Sequence, residues 1–426
     1  NRIRRRAHLL RDNQLCPETI SQENASKNFC HEEELLYWLA PDKSHLKSLK
    51  VLMDHITPKP LLTGNLIKPL FQGDQAFPEM LSAIDSAQYS ITLCTYIFND
   101  DSLGTLFIDA LERAIKRRVR VCVLIDAVGA RYSPLSILKV LHKKGVSVKR
   151  FLPTFFPRSI HYSNLRNHRK ILVIDGKIGF TGGMNIREEH PSLITENRTL
   201  SDIHFRLEGP VVRQLQETFA TDWAFTTQEI LEGEQWFPKL DSSGESIARG
   251  IADGPDEDFE KFRYTLLGAL SVAQESIWIM TPYFLPDTPL ISAINIASLR
   301  GVQVNIILPK QNNLLIVQWA STALFWQLQE RNCKIWLTPP PFDHSKLFLI
   351  DDLWILFGSA NWDPRSLRLN FEFNVECYDR TLAKFFGEHL RNKIRHAQCI
   401  TLEEVDRRSF PIRLRDGISR LFSPFL

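Results

Sequence analysis

No run of about 18 apolar residues occurs in the 426-residue chain, so no segment of it reads as a membrane-spanning helix. There is no Cys-x-x-Cys pair and no Cys/His spacing that suggests zinc. The seven cysteines (Cys16, Cys30, Cys94, Cys122, Cys333, Cys377, Cys399) are odd in number. Cys94, Cys122 and Cys377 lie inside apolar, strand-like runs and read as reduced, buried thiols of a cytosolic compartment. Charge of one sign is also scarce. The 52 basic and 49 acidic side chains leave +3, which argues against a dedicated nucleic-acid binder with its basic face. With 44% hydrophobic and 24% charged residues, low-complexity disorder is excluded as well.

What is present organises itself twice. The length suits two cores rather than one. Residues 1–50 are polar and mixed. Beyond them, Ser90–Phe98 reads as a strand, Leu103–Arg117 as a helix and Val119–Ile125 as a buried strand. Pro134–Lys144 reads as a helix and Val146–Phe151 as a strand. The order returns at Ser276–Met280, Leu290–Arg300 and Val302–Leu308. Ala87-Gln-Tyr-Ser-Ile91 matches Ala273-Gln-Glu-Ser-Ile277 at an offset of 273 − 87 = 186. Such long-period similarity means two copies of one fold. The expectation is an α/β protein of two tandem domains with mixed sheets. The stretches starting at Leu240 and Ala252 read as a surface linker, with the boundary near residue 245.

Each copy carries the pattern HxKxxxxD: His168, Lys170 and Asp175 in the first, His344, Lys346 and Asp351 in the second. Residue frequencies predict roughly 0.03 chance matches in such a chain. On a strand, residues i and i+2 face one side, so each His points with its Lys. Asp175 and Asp351 complete the catalytic pattern but read, as strand-ending acids, as turn or ion-pair residues. Seventeen residues after each His (185 − 168 and 361 − 344) comes an Asn, in Thr181-Gly-Gly-Met-Asn185 and Gly358-Ser-Ala-Asn361. Small residues there would let backbone approach a ligand, and Asn185 and Asn361 could donate to phosphoryl oxygens. An acid follows in each copy, Asp202 and Glu372. A carboxylate on one imidazole nitrogen fixes the tautomer and readies the other; the plain alternative is a solvated strand-edge charge.

These paired motifs resemble the phospholipase D superfamily. Further strings resemble the bacterial cardiolipin synthases: Tyr96–Asp101, Asn164–Lys170, Gly179–Asn185, Glu208–Pro210, Gly358–Asn361 and Arg368–Glu372. The similarity runs from about residue 60 to the C-terminus. Departures stand at Leu200-Ser201-Asp202, at Ile186–His190 and at Phe342-Asp343. They leave acceptor preference open.

The resemblance implies transfer of a phosphatidyl group between two phosphatidylglycerol molecules, through a phospho-histidine, with His168 as nucleophile. A neutral imidazole escapes repulsion by the anionic diester, and a second imidazole can protonate the departing alcohol. The lysines and asparagines would hold the equatorial oxygens, so neither a metal nor another cofactor is expected. Hydrolysis by water and nucleic-acid phosphodiester cleavage are the alternatives; anionic lipid, and no nucleic acid, is the partner expected. The family's two membrane helices would precede Arg2–Arg6, a basic stretch of the kind found on the cytoplasmic side. The expected organisation is therefore an N-terminal juxtamembrane segment (1–50) and two catalytic domains (51–245 and 246–426), at the cytoplasmic face of the cell membrane. The Phe-rich stretch Phe151–Arg158 and the C-terminal Leu421–Leu426 are candidate lipid contacts. Tyr96, Phe98, Tyr283 and Phe284 are expected near the cleft, and Arg166 and Arg169 near an acceptor phosphate. The sequence sets no oligomeric state.

Overall fold

The computed structural model describes residues 28–39, 41–131, 137–152, 164–188, 200–256 and 258–423. Strands of the first half are β1 (Leu62–Phe71), β2 (Ser90–Thr95), β3 (Arg120–Asp126), β4 (Ser147–Phe151), β5 (Arg166–Asn167), β6 (Ile171–Ile174), β7 (Ile178–Gly182), β8 (Leu200–Ser201) and β9 (Ile203–Glu208). Those of the second are β10 (Ser246–Asp253), β11 (Ser276–Met280), β12 (Gln303–Pro309), β13 (Lys334–Thr338), β14 (Phe342–Asp343), β15 (Leu347–Ile350), β16 (Trp354–Gly358), β17 (Asn370–Tyr378) and β18 (Gln398–Ile400).

The described strands form one continuous mixed sheet, apart from the small β8/β14 pair. The first half runs β4-β3-β2-β6-β7-β9-β1; the second runs β10-β17-β16-β15-β11-β12-β13-β18. β1 and β10 join them antiparallel, with Leu62 opposite Ala248. Read outward from that seam, the two orders match strand for strand, with β18 as an addition. This is the pseudo-twofold that the internal repeat implies. Local chemistry repeats too. Asp101 caps the helix Ser102–Lys116 by accepting from the Gly104 N–H, and Asp287 caps Thr288–Leu299 by accepting from the Leu290 N–H. Their offset is again 287 − 101 = 186.

One apolar cluster packs both halves together, with Cys94, Leu124 and Val173 from one and Met280, Leu349 and Phe357 from the other. At its centre the Phe205 and Phe357 rings stack at 3.7 Å between centroids. Burying each such ring is worth on the order of 1.5–3 kcal/mol, so this shared cluster joins the two halves.

Two expectations change here. The segment after Ala252 is not a surface linker: Ser246–Asp253 is a central strand, and Asp253 and Asp256 are buried. The Asp253 carboxylate accepts from the Phe262 N–H and burial raises it well above the usual carboxylate range, while the Asp256 carboxylate accepts from the Asp258 N–H. The polar N-terminal stretch is helical over Glu32–Trp38 and Lys47–Ile56, and Leu35, Leu46, Leu49 and Met53 sink into the second half's core. Arg2–Arg6 lie outside the described residues. Among the described residues no helix is long and apolar enough to cross a membrane.

Candidate active site

His168 to Lys170 and His344 to Lys346 do not lie within regular strands, as the i, i+2 argument expected. Each trio fills the gap between two short strands, β5 and β6 in one half, β14 and β15 in the other. The reason is a crossing of the chain. β5 pairs in parallel with β17 of the second half, and the His168 N–H donates to the Phe371 carbonyl at 2.9 Å. β14 pairs in parallel with β8 of the first half, and the His344 N–H donates to the Ser201 carbonyl at 2.7 Å. Each histidine is thereby stitched to the opposite half before its own strand begins.

The carboxylates follow the same crossing. Nδ1 of His168 lies 3.0 Å from both oxygens of Glu372. Nδ1 of His344 lies 2.9 Å from Oδ2 of Asp202. Ionised carboxylates only accept, so each Nδ1 carries the hydrogen and each Nε2 keeps its lone pair. Both acids are buried, which rules out the solvated strand-edge alternative. They occupy equivalent places: Asp202 stands two residues before His204, which faces Gly182, and Glu372 two before Asn374, which faces Gly358.

The small residues serve the acids. A Cβ on Gly183 would lie 2.5 Å from Oδ2 of Asp202. In the second copy the same position is Ser359, whose hydroxyl donates to Glu372. Ser366 Oγ (2.9 Å) and Asn370 Nδ2 (3.0 Å) donate to the same carboxylate. These three donors were not anticipated. The signal available was the 176-residue offset, which sets Ser359 against Gly183.

Lys170 donates to the His168 carbonyl at 2.7 Å, and Lys346 donates to the His344 carbonyl with its ammonium 3.0 Å from Nδ1 of that ring. Burial pulls the Lys170 ammonium down to about 7, opposed by Glu372 and aided by Lys346. Burial likewise brings Lys346 to about 8, with Asp202 and Glu372 opposing. Burial lowers His168 below the usual imidazole range against the pull of Glu372. Burial and the Lys346 and Lys170 charges push His344 well below it. Burial alone would raise the Glu372 carboxyl; His168, Lys170 and Ser359 more than offset it and hold it low. Both rings are therefore neutral near pH 7, between two cations of marginal charge.

Asn185 and Asn361 are buried. The Asn185 side-chain oxygen accepts from the Ile97 N–H at 3.2 Å, and the Asn361 N–H donates to Ser366 Oγ at 3.1 Å. Asp175 and Asp351 sit at the far ends of β6 and β15 from the histidines. Asp175 accepts from the N–H groups of Gln88, Tyr89 and Ser90. Asp351 accepts from those of Gln274, Glu275 and Ser276, and from His45 at 2.7 Å. Each fixes the start of the neighbouring strand, β2 or β11.

Tyr96 meets the His168 ring edge-on at 5.3 Å, and Tyr283 meets His344 at 6.2 Å. Phe98 and Phe284, grouped with them in the sequence, belong to the core. Arg169 is not available to an acceptor phosphate. It is buried, donates to Asp222 at 2.6 Å and lies over the Phe371 ring. In the second half Ser345 stands where the first has Arg169, and Asp343, in the place of Asn167, pairs with Lys393; this pairing accounts for the unusual acid before His344. Phe155 and Phe156 lie outside the described residues, as do Glu189 and His190. Phe151, at the start of that stretch, is core. Among the described residues no cluster of His, Cys, Asp or Glu could hold a metal ion.

Known proteins match this arrangement over both halves. The family model described as "Cardiolipin synthase, PLD-like domain" matches residues 80–223 and 266–394. Cardiolipin synthase 2 of Staphylococcus epidermidis is 36% identical over 368 residues, covering 86% of this chain and 75% of its own. Cardiolipin synthase 1 of Bacillus anthracis is 32% identical over 367 residues, covering 84% and 72%. Among solved structures, phosphatidylserine synthase of Haemophilus influenzae superposes with a TM-score of 0.66 at 16% identity, over 89% of this chain and 100% of its own. A polyphosphate kinase of Porphyromonas gingivalis superposes at 0.54 and 17% identity, over 89% of this chain and 55% of its own; at such identities these two share the fold alone. The family match spans both histidine motifs and the relatives align over most of their length, so the chain belongs to the cardiolipin synthase family of phospholipase D-like proteins.

Proposed function

We propose that this chain is a phosphatidyltransferase that makes cardiolipin from two molecules of phosphatidylglycerol. The observation that carries the proposal is the crossed pair of imidazoles, each held at Nδ1 by a buried carboxylate of the other half. Nε2 of His168 attacks phosphorus, and the bond to the departing glycerol oxygen breaks. That oxygen takes a proton from Nε2 of His344. The terminal hydroxyl of a second phosphatidylglycerol then gives its proton to His344 and attacks, releasing cardiolipin and free His168. Burial first, and then the Lys346 charge, disfavour an imidazolium at His344. A bound phosphodiester neutralises that ammonium, so the ring can carry a proton once substrate is present. Lys170 and Lys346, with Asn185 and Asn361, hold the diester oxygens, the role a metal would otherwise play. Asp175 and Asp351 support the strands behind them.

The membrane, at its cytoplasmic face, is the proposed place of action; the basic stretch Arg2–Arg6 supports this side. The test is to supply radiolabelled phosphatidylglycerol and resolve the products. Cardiolipin and glycerol in equal amounts are expected. Phosphatidic acid as the dominant product at every lipid concentration would assign a hydrolase instead.

A further inference from the structure

The helix Phe410–Leu421 is built inside out. Amphipathic helices of globular proteins turn their apolar stripe to the core. Here the buried side chains are polar, Asp416 and Ser419. Phe410, Leu414, Ile418 and Leu421 recur at i, i+4, i+8 and i+11 and all face outward, with Leu421 76% exposed. Phe422, just beyond, is half exposed. At 100° per residue Arg413 and Arg420 flank one side of this stripe and Arg415 the other. Asp416 is withdrawn from the outer face into ion pairs with Arg408 and Arg415. The outward side of the helix is thus apolar along its middle and cationic along the Arg413 and Arg420 edge, while on the other edge Arg415 is paired with Asp416.

This face is continuous with the rim of the active site. The helix packs on the helix Leu315–Thr322, and the Arg415 guanidinium lies 4.4 Å from the Trp319 ring centre. Leu314, Leu315 and Ile316 add further exposed apolar surface. The residue before them, Asn313, accepts a hydrogen bond from the Tyr283 hydroxyl at 2.9 Å, and the Tyr283 ring stands against His344.

We infer that Phe410–Phe422, with Leu314–Ile316, is a docking surface for an anionic phospholipid bilayer. The apolar stripe enters the acyl boundary and the flanking arginines meet headgroup phosphates. The inference rests on the proposed lipid substrate, because a bilayer seated here lies beside the Tyr283 side of the catalytic cleft. It gives the catalytic fold its own membrane contact, distinct from any anchor elsewhere in the chain.

The experiment is co-sedimentation with vesicles of phosphatidylcholine containing, or lacking, phosphatidylglycerol. The chain is compared with Leu414→Ser/Ile418→Ser and with Arg413→Glu. These side chains are exposed, so unchanged melting temperatures are expected. The serine variant should lose at least about tenfold in binding to anionic vesicles. The glutamate variant should lose binding chiefly at low salt. With phosphatidylglycerol dispersed in detergent, both variants should keep the parent rate. Vesicle binding unchanged in the serine variant overturns the docking surface. So does loss of a dimer by that variant in sedimentation with vesicle binding unchanged, which would make the stripe a contact between two copies of this chain. Failure of the parent chain to make cardiolipin from either presentation would instead sink the proposed function.

Discussion

Glu372 orients His168 and Asp202 orients His344, so each half of the chain completes the imidazole of the other. The two acids should therefore fail in different steps. With His168 as nucleophile, Glu372→Gln weakens attack on phosphorus and Asp202→Asn weakens proton delivery to the leaving group. Each should lower kcat on phosphatidylglycerol by roughly 10²–10⁴-fold, the range for loss of a tautomer-holding acid or of proton transfer. A diester with a nitrophenol leaving group needs no proton on departure. The burst of nitrophenol should return toward the parent in Asp202→Asn, whose turnover still needs His344 as the base for the acceptor, and should stay impaired in Glu372→Gln. Equal defects on both substrates would count against this division of labour.

The nucleophile itself can be read from a quenched reaction. His168→Ala and His344→Ala should each abolish turnover, and the trapped phosphoryl group should map to the peptide containing His168. A label confined to the His344 peptide would reverse the roles, and the strong depression of that ring by burial and by Lys346 would then be the reason.

Lys170 and Lys346 tie activity and stability to pH in opposite directions. Their folded values, about 7 and about 8, lie below the ordinary lysine range. Between those values and about 10.4 the unfolded chain binds more protons, so stability rises with pH across that window. In the proposed mechanism the charged ammonium grips the diester, so kcat/KM should fall as pH climbs through about 7 to 8. Lys170→Met removes a desolvated charge. It should raise Tm at pH 7 by a few degrees, for a gain on the order of 1 kcal/mol or more, and abolish turnover. A lowered Tm would show that the bond to the His168 carbonyl outweighs desolvation.

Much of this architecture was legible from periodicity, because apolar alternation and the 186-residue repeat mark β2, β3, β11 and β12 directly. The candidate site residues stand out because the same spacing occurs twice. What sequence could not show is contact across the pseudo-twofold. Nothing local to His168 indicates that its carboxylate lies 204 residues away, in the other half. Arg169 shows the same blindness. Beside a catalytic histidine it reads as a phosphate contact, yet burial and Asp222 make it scaffold. Asp222→Ala should accordingly cost about 3–5 kcal/mol in denaturant unfolding, the range for breaking a buried pair. A change near zero would return Arg169 to the list of substrate contacts. Ser246–Asp253 was obscured by the polar residues around it; its burial follows from pairing on both sides, which no local window records.

Transfer rather than hydrolysis requires that water be kept from the phospho-enzyme until the acceptor alcohol arrives. The groups placed to do this are the tyrosines standing edge-on to the two imidazoles. Tyr96 also lies under the Lys170 ammonium, 5.6 Å from ring centre to nitrogen, and Tyr283 is fixed by its bond to Asn313. Tyr96→Ala and Tyr283→Ala should raise the ratio of phosphatidic acid to cardiolipin several-fold while lowering total turnover less than loss of either histidine does. Phe98→Ala and Phe284→Ala provide the contrast. Both rings are core, so these variants should lose about 3–5 kcal/mol of stability with an unchanged product ratio in the fraction that remains folded. Each tyrosine lies one or two residues from its phenylalanine, yet the tyrosine rings meet the imidazoles and the phenylalanine rings pack in the cores. If all four variants shift the product ratio alike, water exclusion belongs to the general packing of the cleft and not to the tyrosine rings.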